Sequence, residues 1–88
     1  MAITNIMTFA LGFCKKSEKD NADREIKMFE FSVYYDRAQY DEPKDVAINH
    51  AIKIKDIDDG TVNFAELLPV FKTFRVINDR VPSDLGMR

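Results

Sequence analysis

The chain has 88 residues, 45% of them apolar, with 13 basic side chains against 15 acidic ones and a formal charge of −2. That length holds one domain with a thin core and excludes two separate cores. The near balance of charge excludes the basic stripe that general nucleic-acid binding requires, and a single cysteine, Cys14, excludes an internal disulfide.

The first stretch, ITNIMTFALGFC over 3–14, has no basic segment ahead of its apolar run, and Lys15 and Lys16 follow it. It is also too short and too interrupted by Thr4, Asn5 and Thr8 to span a bilayer. A reducing, cytoplasmic setting with no membrane contact is therefore the expectation. Ile3, Ile6, Met7, Ala10, Leu11 and Cys14 fit a helical stripe, with Gly12 as a stop. Alternate residues from Ile6 to Phe13 fit a buried strand as well. The balance leans to a short helix, an N-terminal arm over 1–14.

Residues 15–24, KKSEKDNADR, carry almost no bulky apolar groups and are expected to form a mobile loop. Glu25 to Tyr35 is the clearest strand. Phe29, Phe31, Val33 and Tyr35 alternate onto one face and Met28, Glu30, Ser32 and Tyr34 onto the other.

Pro43 closes the connection that follows. Val46, Ile48, His50, Ile52 and Ile54 then alternate with smaller or polar residues, and this β-branched run favours a strand. A competing helix would start at Pro43 with Val46, Ala47, His50, Ala51 and Ile54 as its inner face. After an Asp58-Asp59-Gly60 turn, Asn63 and Glu66 match a capping box, and Leu67, Val70, Phe71, Phe74 and Ile77 share a helical face. A helix over 64–78, bent by Pro69, is expected there. The architecture that results is α+β: an antiparallel sheet of two or three strands with a C-terminal helix packed on one face and an N-terminal arm or short helix. The whole chain, 1–88, forms one domain, with the sheet and helix over 25–80 and a tail over 81–88.

The segment DIDDGTVNFAELL, 56–68, resembles the second half of an EF-hand calcium loop. In that family a Gly permits a sharp bend, an apolar residue two places on joins a small β bridge, and a Glu six places after the Gly binds calcium through both oxygens. Gly60, Val62 and Glu66 hold those places. The resemblance implies Asp56, Asp58, Asp59, Asn63 and Glu66 as ligands. Counting back from Gly60, however, puts Lys55 and Ile57 where oxygen donors belong, and starting at Asp56 shortens the loop by one residue. A turn followed by a helix cap explains the same residues, and no metal or other cofactor is expected.

His50 is the only histidine, which rules out a multi-histidine metal site within one chain. A Cys14–His50 pair is conceivable arithmetically, but a thiol in an apolar run is usually inert. Tyr34, Arg37 and Tyr40 have the composition enriched at protein-binding hot spots. The expected function is that of a small non-enzymatic interaction domain, in the manner of viral or mobile-element accessory and inhibitor proteins that bind a larger host protein. Self-association through the N-terminal arm is a second route to a complex. The runner-up is a degenerate EF-hand-like calcium module.

Overall fold

A computed structural model describes residues 5–57 and 60–81. Three strands, β1 (Asn5–Lys15), β2 (Lys27–Tyr35) and β3 (Leu67–Arg80), form one antiparallel sheet in the order β2-β1-β3. One helix, α1 (Pro43–Ile57), joins β2 to β3 and packs on one face. Short 3-10 turns occur at Lys16–Glu18, Arg37–Gln39 and Phe64–Glu66. Residues 82–88 of the expected tail lie outside the described residues.

The expected α+β class and antiparallel sheet hold, but the placement of the elements is corrected at three points. Residues 1–4 of the expected arm lie outside the described residues; from Asn5 onward the segment is neither arm nor helix but β1, the central strand. Met7, Phe9, Leu11 and Phe13 point towards α1, and Ile6, Ala10 and Cys14 are buried on the other side. A strand buried on both faces reads as a continuous apolar run, so its alternation is hidden.

The stretch expected as a second strand is α1. Pro43 sits where its missing N–H costs nothing, and the Asp45 carboxylate accepts the Glu42 amide at 3.2 Å, closing the helix start. Val46, Ala47 and Ile54 are buried and His50 and Ala51 half-buried, the inner face of the competing helix.

The expected C-terminal helix is β3. Register against β1 shifts between Thr8 and Phe9 and again between Ala10 and Gly12. Leu67 and Phe71, four apart, share a face by ordinary strand alternation, and the extra residues at the second shift, between Val70 and Arg75, bring Phe74 back to the core only three places later. That is the stripe of a helix, produced here by an irregular strand. Pro69, costly inside a helix by about 3 kcal/mol, is tolerated on this edge strand.

The strand read as β2 stands as expected, with its nine residues in unbroken register from Asn5↔Tyr35 to Phe13↔Lys27. Rings join the layers: Phe9 lies 5.5 Å from Phe31 and 5.7 Å from Phe74, and His50 of α1 lies 5.0 Å from Phe31.

Candidate functional site

The face of the sheet turned away from α1 carries no second helix or strand among the described residues, although Ile6, Ala10, Gly12 and Cys14 along its central strand are buried. The strand pairings arrange it in rows across β2, β1 and β3. Tyr34, Ile6 and Arg80 form the first row, Ser32, Thr8 and Asn78 the next, then Glu30, Ala10 and Arg75, then Met28, Gly12 and Val70. A 2.9 Å bond between the Thr8 and Ser32 hydroxyls ties the second row together. Tyr34 is 62% exposed.

At the same end of the sheet, Asp79 gathers three groups. The Tyr35 hydroxyl lies 2.8 and 2.7 Å from its two oxygens, Asn5 Nδ2 donates to it at 3.1 Å, and an Arg37 guanidinium nitrogen lies 3.5 Å away. Burial of Tyr35, the bond to Asp79 and the negative charge on Asp79 push the Tyr35 hydroxyl up to about 12, against a smaller lowering by Arg37. Tyr40 packs edge-on against Tyr35 at 5.7 Å, and its oxygen accepts from Asn49 of α1 at 2.8 Å.

The three residues expected to meet a partner are thus brought to one end of the molecule. Tyr34 and Tyr40 line a cleft of about 310 Å³ between β2 and α1, together with Val33, His50 and Lys53. Arg37 and Tyr40 line a smaller one of about 120 Å³ beside it. Burial first, and then the charge on Lys53, holds the His50 imidazole below its ordinary 6.5. A neutral ring suits its position against Phe9 and Phe31. Sequence reasoning missed Asp79 and Asn5. Asp79 lies 44 residues from Tyr35, just past the expected helix over 64–78, and no local pattern links them.

Cys14 and His50 lie on opposite faces of the sheet, so they form no nucleophile–base pair. Of the calcium-loop residues, Asp56 is exposed in the last turn of α1, Asn63 holds a left-handed backbone at φ 62°, and Glu66 is exposed in the turn before β3. Asp58 and Asp59 lie outside the described residues. A helix does enter this segment, but a strand leaves it where an EF-hand has its second helix. Among the described residues no group of three or more His, Cys, Asp or Glu side chains is placed to hold a metal ion, and no helix is long and apolar enough to cross a membrane.

A cleft of about 480 Å³ lies at the other end of the sheet and mixes Lys15, Lys16 and Lys27 with Glu25 and Glu66. Charges of both signs offset one another there, and no single ligand chemistry is selected. Comparison with protein-family models, curated proteins and solved structures finds no match to this chain.

Proposed function

We propose that the chain is a non-enzymatic interaction domain that occupies a surface of a larger protein, as small accessory and inhibitor proteins of viruses and mobile elements do. The observation that carries this reading is the exposed Tyr34 in one row with Ile6 and Arg80, beside the cleft lined by Tyr40. Tyrosine and arginine supply large contact areas and directional hydrogen bonds, and they dominate binding energy at protein interfaces. The Tyr35–Asp79 bonds and the Tyr40–Asn49 bond fix the backbone beneath these groups, so little ordering entropy is left for binding.

The test is affinity capture from cells of the source organism with the intact protein and with folded Tyr34→Ala and Arg80→Glu variants. A stoichiometric partner held by the wild type and lost by both variants is the expected result. Recovery of no such partner, or equal recovery by all three proteins, overturns the proposal.

A second reading, calcium binding at Asp56, Asp58, Asp59, Asn63 and Glu66, draws support from α1, whose last turn holds Asp56, the residue at which such a loop would begin. Calorimetric titration decides it: saturable heat below millimolar calcium supports the reading, and its absence removes it.

A further inference from the structure

We infer that two copies of the chain pair through the free edge of β2, antiparallel and centred on Phe31, to make one six-stranded sheet with both helices on the same face. Among the described residues, both outer strands of the sheet present an unpaired edge, a template for strand addition. They are not equivalent. Pro69 and two register shifts interrupt β3, devices that discourage a flat neighbour. Strand β2 has no proline and no bulge, and its nine residues keep one register.

The sequence of β2 also fits itself. About an axis through Phe31, all nine residues from Lys27 to Tyr35 find a partner in the second copy. On the face under α1, Phe31 meets Phe31 and Phe29 meets Val33. On the open face, Met28 meets Tyr34 and Glu30 meets Ser32. Aromatic, aliphatic and sulfur–aromatic pairs are favourable across strands, and no like charges oppose. Shifting the axis to Glu30 sets two carboxylates face to face and strands Tyr34 and Tyr35. Shifting it to Ser32 strands Lys27 and Met28 instead. Parity forbids an axis between residues, because it would pair side chains from opposite faces.

Burial favours the same seam. Phe29, Phe31 and Val33 pack on the core yet remain only half-buried, and the cleft beside Val33 leaves room next to them. A second β2 would cover their open side and extend the core across the axis.

The pairing of Glu30 with Ser32 gives a charge test in which each change counts twice by symmetry. Sedimentation equilibrium on the full chain should reveal a dimer. Ser32→Lys, which sets a cation opposite Glu30, should tighten it, and Ser32→Glu should weaken it, each on the order of 2- to 30-fold in dissociation constant. Both variants lose the same exposed Thr8 contact, so a general folding effect would move them together. In a Glu30→Gln background the two should converge. Should either variant fold poorly, wild-type protein mixed from labelled and unlabelled copies should show intermolecular contacts between the Met28 methyl and the Tyr34 ring. A monomer up to millimolar concentration, a dimer indifferent to the swaps, or a dimer lacking the Met28–Tyr34 contact overturns the inference. None of these readings depends on capture of another protein, so this inference and the proposed function fail separately.

Discussion

Where β3 bulges away from β1, the ladder between the strands is interrupted and the Thr73 hydroxyl steps in. It accepts from the Gly12 amide at 2.7 Å and donates to the Val70 carbonyl at 2.6 Å. Thr73→Val should cost about 1–3 kcal/mol by leaving a part-buried amide without an acceptor. Thr73→Ser should keep most of that stability, and urea denaturation compares the two. Gly12 itself has no room for a side chain: a Cβ there would meet Ile26 Cγ2 at 2.6 Å and Thr73 Oγ1 at 2.8 Å. In the sequence this glycine read as a helix stop, because its real reason, a close approach by β3, comes from 61 residues away. Tyr35 offers a second test at this scale. Its folded-state value of about 12 exceeds the ordinary 10.0, so the folded form holds a proton that the unfolded chain releases. Stability contributed by this group is whole below pH 10 and lost as the pH rises towards 12. Ultraviolet titration should show a tyrosine ionising well above the ordinary 10.0, and Asp79→Asn should bring it down. A wild type with no such late tyrosine would contradict the network around Asp79.

At the scale of elements, β2 was legible because it is the one element with a regular two-residue period, half-buried on one face and exposed on the other. Of the other long elements, α1 and β3 carried each other's signature. Alternating isoleucines gave α1 a strand's rhythm, although only some of them are used: Ile54 is 5% exposed and Ile52 is 66% exposed. Residues two apart share a face in a strand and lie on opposite sides of a helix. Ile54→Ala should therefore cost about 2–4 kcal/mol, while Ile52→Lys should stay within about 0.5 kcal/mol of the wild type. Equal costs at both positions, measured by thermal or chemical unfolding, would argue for the strand. In β3 the misleading period came from its bulges, which only the partner strand makes visible, and the β-branched content of Val70, Thr73, Val76 and Ile77 was the signal that pointed the right way. The candidate contact residues Tyr34, Arg37 and Tyr40 were legible by composition; their supports, Asp79 and Asn49, were not.

As a whole, the described residues form one α-helix laid on one face of a three-stranded sheet whose central strand is β1. That topology requires β3 to return beside β1 after the helix, so the core is closed by contacts between elements far apart in the sequence. It leaves the opposite face and the β2 edge as the surfaces available for binding, and everything proposed about function depends on this arrangement. Its most direct test is a solution NMR study of the labelled protein at low concentration. Helical shifts over 43–57, extended shifts over 67–80, cross-strand contacts between Met7 and Asp79, and ring contacts between Phe9 and His50 are the expected results. Helical shifts over 67–80, or a Met7 strand with no neighbour on its β3 side, would contradict the account.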